Sequence, residues 1–329
     1  MAVVGAGSWG TALAIALAPR FSSVRLWARD GRQASDIAKT RENRRYLPGF
    51  QLPENVHPSC DIGWVVAESA VILSAVPSAH LRLVVESFRS NIFPRVKLVS
   101  ATKGIEEGSF ASMSNVISDV LGASFSGSIA VLSGPTFARE IAAGEPAAVV
   151  IAAQDLAVAE EIQLLFSTAT LRFYTSSDVI GVEIGAAIKN VIAIGAGLCH
   201  GLGLGSNSVA ALVTRGLAET TRLAVKLGGQ ARTLSGLAGL GDLLLTATGD
   251  LSRNRFVGVQ LGQGHKLDQI LAGMTMVAEG VGTCRAAYQL GQTRDVDLPI
   301  VNKMYELLYE GKDPRQAIRE LMDRPLTSE

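Results

Sequence analysis

Along the first half of the chain, short apolar runs alternate with stretches whose apolar positions recur every three or four residues. The runs Ala2–Val4, Val24–Ala28, Ala70–Ala75, Val96–Ser100, Ile129–Leu132, Ala147–Ile151 and Leu171–Thr175 read as strands. Several are rich in β-branched residues, and they end at Gly, Pro, Ser or Asp. Thr11–Ala18 and His80–Phe88 read as helices between them. Such alternation predicts a largely parallel sheet covered by helices. After Ser177 no strand pattern follows. Helical patterns occupy Asp178–Gly195, Ser208–Leu227, Leu267–Leu271, Gly280–Leu290 and Ile300–Tyr309, and Asp178 is a helix start. The expected organisation is an α/β domain over residues 1–177 and an all-α domain over 178–329, packed directly together because no low-complexity linker separates them.

Composition narrows the class. The chain has 329 residues, 48% hydrophobic and 18% charged, which is globular and large enough for two cores. Glycine is high at 34 residues and aromatics are only 5%, so small residues are expected at helix contacts. Lysine plus arginine (30) balances aspartate plus glutamate (30), which argues against nucleic acid as a partner. Cys60, Cys199 and Cys284 lie far apart without zinc or disulfide spacing; reduced thiols in a cytoplasmic protein are expected, and no metal site. No secretory leader pattern is present. The uncharged stretch Asn190–Thr214 carries too many polar residues and glycines for a membrane span, and reads as a buried helix followed by a glycine-rich turn.

The opening residues carry the first chemistry. Gly5-Ala6-Gly7-Ser8-Trp9-Gly10 is G-x-G-x-x-G between an apolar strand and an Ala/Leu helix. Gly5 allows the tight turn, Gly7 lets a pyrophosphate approach the backbone, and Gly10 lets helix and strand pack closely. That context makes the first domain a Rossmann-type dinucleotide-binding unit. Only four residues precede Gly5, a short first strand that fits a chain whose start has been trimmed. Strand two ends at Arg29-Asp30: an acid there favours a free ribose 2′-hydroxyl and an arginine favours a 2′-phosphate, so NAD(H) and NADP(H) both stay open. Either residue is also an ordinary exposed turn charge.

Four histidines, His57, His80, His200 and His265, have no evident partners and read as structural or surface residues; His57 falls in a proline-flanked loop and His200 in the glycine-rich turn. Lys189 is different, a single lysine in the middle of an almost wholly apolar helix. Burial lowers a lysine pKa and fits it for proton exchange near neutrality, whereas the bland alternative is a snorkelling side chain. Asp242 stands among leucines and glycines. Ser252, Arg253 and Asn254 combine hydroxyl, guanidinium and amide donors suited to a phosphate, or else form a helix cap followed by surface arginines. Lys103 and the Ser133–Ala138 segment follow strands at the carboxyl edge, where ligands bind in open α/β sheets.

GAGSWGTALA at the start, NRRYLPG at Asn43–Gly49, SATKG at Ser100–Gly104 and SGPTFA at Ser133–Ala138 together resemble the bacterial NAD(P)-dependent glycerol-3-phosphate dehydrogenases. AIKNVIAIGAG from Ala187, GLAGLGDLLLT from Gly236 and SRNR at Ser252–Arg255 extend the resemblance over the whole chain. The resemblance implies reduction of dihydroxyacetone phosphate to sn-glycerol 3-phosphate, feeding phospholipid synthesis, and a homodimer. It implies Lys189 as proton donor and acceptor. Lys103, Gly134, Thr136, Lys189, Asp242, Ser252, Arg253 and Asn254 are implied as substrate contacts. Ser8, Trp9, Arg29, Tyr46, Lys103, Ala138, Arg253, Val277 and Glu279 are implied as cofactor contacts, beside the three glycines. Asn190 and Thr246 are implied as supporting groups. The alternatives are another two-domain dehydrogenase, of the 3-hydroxyacid or 6-phosphogluconate type, and a non-catalytic NADP(H) sensor.

Overall fold

The computed structural model describes residues 1–325. Its first half runs β1 (Ala2–Val4), α1 (Ser8–Leu17), β2 (Val24–Trp27), α2 (Gly31–Thr40), β3 (Val56–Ser59), α3 (Ile62–Val66), β4 (Val71–Ser74), α4 (Leu81–Phe88), β5 (Lys97–Ser100), α5 (Met113–Leu121), β6 (Ser128–Ser133), α6 (Ala138–Ala143), β7 (Ala147–Ala152), α7 (Leu156–Phe166) and β8 (Leu171–Ser176). The eight strands form one sheet in the order β3-β2-β1-β4-β5-β6-β7-β8. Only the β6–β7 pairing is antiparallel, so the sheet is largely parallel as expected. Alternate side chains feed two cores: Val3, Leu73 and Val99 pack on one face, and Ala2, Ile72 and Leu98 on the other. The chain winds outward in opposite directions from β1 and β4. The crevice beyond their carboxyl ends is therefore the topological switch point at which such sheets bind ligands.

β3 was not anticipated. Val56-His57-Pro58-Ser59 pairs in parallel with β2, and His57 lies in this strand rather than in a loop. Pro58 is tolerated because β3 is the edge strand, where a missing N–H interrupts no ladder.

The remainder is helical: α8 (Val179–Gly201), α9 (Ser206–Lys226), α10 (Ala231–Leu234), a π-helical turn at Leu237–Gly241, α11 (Asp242–Thr248), α12 (Arg253–Gly262), α13 (Leu267–Ala272), α14 (Glu279–Arg294), α15 (Pro299–Tyr309) and α16 (Pro314–Met322). Asp178 caps α8, its carboxylate accepting from Gly181 N–H at 2.9 Å. α8 continues past Gly195 to Gly201, so His200 sits in its last helical turn and not in the glycine-rich turn. Its glycines are contact points rather than breakers. A Cβ on Gly197 would stand 2.0 Å from Arg255 O, and one on Gly201 would stand 2.3 Å from Val259 O. On α12, a Cβ on Gly258 would lie 1.9 Å from Ile194 O. The two backbones touch through these missing side chains. α8 is long and apolar enough to cross a membrane, yet 89% of its most apolar window is buried within the protein. It is the central helix of the second core.

Candidate active site

The glycine loop leaves β1 at the switch point. Gly5 has φ 117°. A Cβ there would meet Ala75 O at 2.8 Å, so both conformation and space demand glycine. A Cβ on Gly10 would sit 1.9 Å from Gly5 O, whereas Gly7 faces open space. Gly7 is the N-cap of α1 and offers no side-chain acceptor, leaving the first N–H groups of the helix, at Ser8 and Trp9, free for an anion. The Trp9 indole nitrogen is buried without a partner. These features fit a dinucleotide pyrophosphate.

Two side chains that the sequence reading gave no role hold the loop in place. Asn43 donates to Ala6 O at 2.9 Å and to Thr11 Oγ1 at 2.8 Å, and Gln33 donates to Ala6 O at 3.0 Å. Asn43 opens the NRRYLPG motif, so a motif residue was visible, but its partner 37 positions earlier was not. At the end of β2, Arg29 is exposed. Asp30 caps α2 by accepting from Arg32 N–H at 2.8 Å. Tyr46 is half-buried beneath the Arg45 guanidinium, which lies 5.2 Å from its ring centroid.

A polar cluster forms where β5, β6, α8 and α11 meet. Asp242 is fully buried. One of its carboxylate oxygens accepts from Lys189, and the other accepts from Lys103 at 2.8 Å and, more distantly, from Ser133 Oγ at 3.4 Å. Lys189 also donates to Thr246 Oγ1 at 2.8 Å, while that hydroxyl donates to Asp242 O at 2.6 Å. Lys103 lies 3.4 Å from Gly134 O, a weak contact. The π-helical turn, with Gly241 N–H donating to Gly236 O at 3.1 Å, precedes Asp242 and sets the direction in which its carboxylate leaves α11. Burial pulls the Lys189 ammonium down to about 7, with Asp242 opposing and Lys103 assisting. Burial acts upward on Asp242, but the two lysines outweigh it and hold the carboxyl below its ordinary range.

Beside this cluster, Asn254 donates to Asn190 Oδ1 at 2.9 Å and accepts from Gly280 N–H at 2.9 Å. Ser252 caps α12 by accepting from Arg255 N–H at 3.2 Å, so the capping alternative describes this serine correctly. Arg253 has no protein hydrogen-bond acceptor among the described residues. Burial lowers its pKa, with Glu279 acting upward. Glu279 accepts from Ser78 Oγ at 2.7 Å, and burial raises its pKa. Val277 is 52% exposed just before it. Thr136 donates to Gly134 O at 3.1 Å and does not touch the cluster, while Ala138 begins α6. Gly134 has φ 148°, and a Cβ there would meet Val149 Cα at 2.9 Å. All four histidines are exposed and stand outside this arrangement.

Fold and cleft together define a dinucleotide-dependent dehydrogenase: a glycine loop at the switch point of a Rossmann-type sheet, and a buried lysine–aspartate–lysine group on the helices beyond. More specifically, the chain belongs to the NAD-dependent glycerol-3-phosphate dehydrogenase family. The family's N-terminal model matches residues 1–159 and its C-terminal model matches residues 178–319. The chain is 49% identical, over its full length and 99% of the relative's, to glycerol-3-phosphate dehydrogenase [NAD(P)+] of Nitratidesulfovibrio vulgaris. It is likewise 49% identical to that of Koribacter versatilis, over its full length and 98% of the relative's. The crystal structure of glycerol-3-phosphate dehydrogenase from Coxiella burnetii superposes with a TM-score of 0.94 at 37% identity, covering 98% of each chain.

Proposed function

We propose that this protein interconverts dihydroxyacetone phosphate and sn-glycerol 3-phosphate with NAD(H) or NADP(H). The observation that carries this reading is Lys189, buried, bonded to Asp242 and Thr246, and lowered to about 7. A non-catalytic cofactor sensor has no need of such a group. The first 177 residues hold the dinucleotide through Gly5, Gly7, Gly10, Ser8 and Trp9, and the helices from Asp178 onward supply the reacting groups.

When bound, the reduced nicotinamide supplies the hydride. The chain's own residues manage charge and protons. As negative charge develops on the ketone oxygen, the Lys189 ammonium stabilises it and gives up its proton. In the reverse direction, neutral Lys189 takes the hydroxyl proton. Asp242 orients Lys189 and balances its charge, and Thr246 fixes a second of its three N–H directions. Lys103 adds positive potential from the sheet side. Arg253, with no protein acceptor, takes the phosphate bidentately, with the free donors of Asn254 and Ser252 beside it. Asn190 holds Asn254 in place. Binding energy from the phosphate, which does not react, then positions the ketone. The product serves phospholipid synthesis, and the enzyme works in the cytoplasm as a homodimer.

The test is direct. Protein is mixed with dihydroxyacetone phosphate and NADH or NADPH, and oxidation of the reduced cofactor is followed by its absorbance. Turnover supports the reading; none with either cofactor removes it.

A further inference from the structure

The segment between β5 and α5 carries Lys103 and is fastened to both domains. On the sheet side, Thr102 donates to Val76 O at 2.8 Å, and Arg82 of α4 grips the Glu106 carboxylate through two bonds of 2.9 Å. The segment closes on itself, with Ile105 bridged to Ser112 and Glu106 N–H donating to Ala111 O at 3.0 Å. Its apolar residues pack into the second core, where Ile105 is buried and Phe110 lies against it. The polar join to that side is Glu183, a buried residue of α8 about 9 Å of helix rise before Lys189. Its carboxylate accepts from Ser114 N–H at 2.8 Å and from Ser114 Oγ at 2.6 Å. Ser112, the N-cap of α5, makes no side-chain cap bond, so Glu183 supplies from another helix the acceptor that α5 lacks. Burying a carboxylate for a cap that a serine could make locally costs free energy. What the glutamate adds is a bond between the two domains.

We propose that Glu183 is a positioning residue: by tying the β5–α5 segment to α8, it holds Lys103 against the Asp242–Lys189 pair. The charged groups facing Lys189 are Asp242 from α11 and Lys103 from this segment, and Thr246 is its neutral partner. Asp242 raises the proton affinity of Lys189 and Lys103 lowers it. A segment released from α8 carries Lys103 away from the pair, so Lys189 holds its proton to higher pH. The inference rests on the dehydrogenase reading for what Lys189 does, but the placement of Lys103 is measurable without turnover.

The test is a pH titration of Lys189 by NMR of lysine labelled at Cε, the resonance being assigned by its loss in Lys189→Ala. The wild-type group titrates at about 7. Lys103→Met removes the like charge and sets the ceiling, a rise of about one pH unit, and Glu183→Ala gives about half of it. Glu183→Gln keeps an acceptor for Ser114 N–H and restores the wild-type titration. Phe110→Ala loosens the same segment at its apolar anchor, leaves α8 and the cap intact, and also raises the Lys189 pKa; it decides the matter if Glu183→Ala does not fold. A Glu183→Ala protein that melts at lower temperature with Lys189 unmoved shows a cap and nothing more, and overturns the proposal. So does a Glu183→Gln shift as large as that of Glu183→Ala, or an unmoved Lys189 in Phe110→Ala. The alkaline limb of kcat with dihydroxyacetone phosphate follows the same order. A wild type without turnover refutes the dehydrogenase reading, while the titration still decides the role of Glu183.

Discussion

Asp242→Asn removes one negative charge from between two lysines and changes almost nothing else in size. In the wild type the two carboxylate oxygens each face a different ammonium, Lys189 and Lys103. An amide cannot do this, because its NH2 must turn toward one of them. A unit charge pair at hydrogen-bond range and an effective dielectric near 20 is worth roughly 4 kcal/mol. If about half survives relaxation, the Lys189 pKa falls by roughly 1.5 units. The wild-type group sits at about 7, so the sign follows. In the proposed ketone reduction the ammonium is the donor, so activity is full below its pKa and lost as pH rises through it. Asp242→Asn therefore moves the alkaline limb of kcat to roughly pH 5.5, and the rate at pH 7.5 falls by roughly 20-fold. It returns as the pH is lowered. Lys189→Ala contrasts with it, losing at least about 10²-fold below the wild-type pKa and recovering nothing as the pH is lowered. The assay is the steady-state rate of dihydroxyacetone phosphate reduction followed across roughly pH 5 to 9, a span that brackets both limbs. Folding is checked by thermal melting and cofactor titration. An Asp242→Asn protein that folds, binds cofactor and keeps the wild-type limb refutes the role of this carboxylate.

Three further outcomes are expected. Arg253→Ala raises KM for dihydroxyacetone phosphate by about 10- to 100-fold and narrows discrimination against unphosphorylated ketones, as loss of a charge-assisted phosphate contact implies; unchanged discrimination in steady-state kinetics assigns the phosphate elsewhere. Glu219 is buried against the start of α15, accepting from Ile300 N–H at 2.7 Å and Val301 N–H at 3.2 Å, and burial raises its pKa to about 7. The folded state thus holds a proton that the unfolded chain releases near the ordinary glutamate pKa, and stability is lost as pH rises toward 7. Melting curves of Glu219→Gln should lose that part of the pH dependence, and parallel curves for the two proteins would contradict it. Gly258→Ala forces α8 and α12 apart, because its Cβ would stand 1.9 Å from Ile194 O. It destabilises by at least about 2 kcal/mol in denaturant unfolding, although alanine is intrinsically the better helix former; a stabilised variant would show that the helices do not touch here.

The boundary between residues legible in the sequence and those hidden from it follows the range of the interactions. The glycine loop was legible because its geometry is local: a positive φ at Gly5 and an open approach at Gly7 belong to six consecutive residues. Lys189 stood out because one charge in an apolar helix breaks the period of its own segment. Ser252 appeared as a phosphate donor or as a helix cap, and the structure shows it capping α12 while its hydroxyl remains able to donate. Edge strand β3 was obscured by Pro58, whose position at the sheet edge no local pattern reveals. The glycines of α8 read as the end of a helix because their reason for being glycine lies on α12, some sixty residues away.

By itself, the sequence determined the alternation of strands and helices, the glycine loop and the lone charge of Lys189 in an apolar helix, all set by dihedral preference and hydrophobic period. Only the tertiary structure decided that Asp242 lies between Lys189 and Lys103, residues 53 and 139 positions away. It likewise decided that Asn43 and Gln33 brace the glycine loop and that Asp30 is committed to α2. Those pairings depend on packing that brings remote backbones within hydrogen-bond range. Burial and opposing charge then fix the proton affinity of Lys189, which no window of neighbouring residues contains.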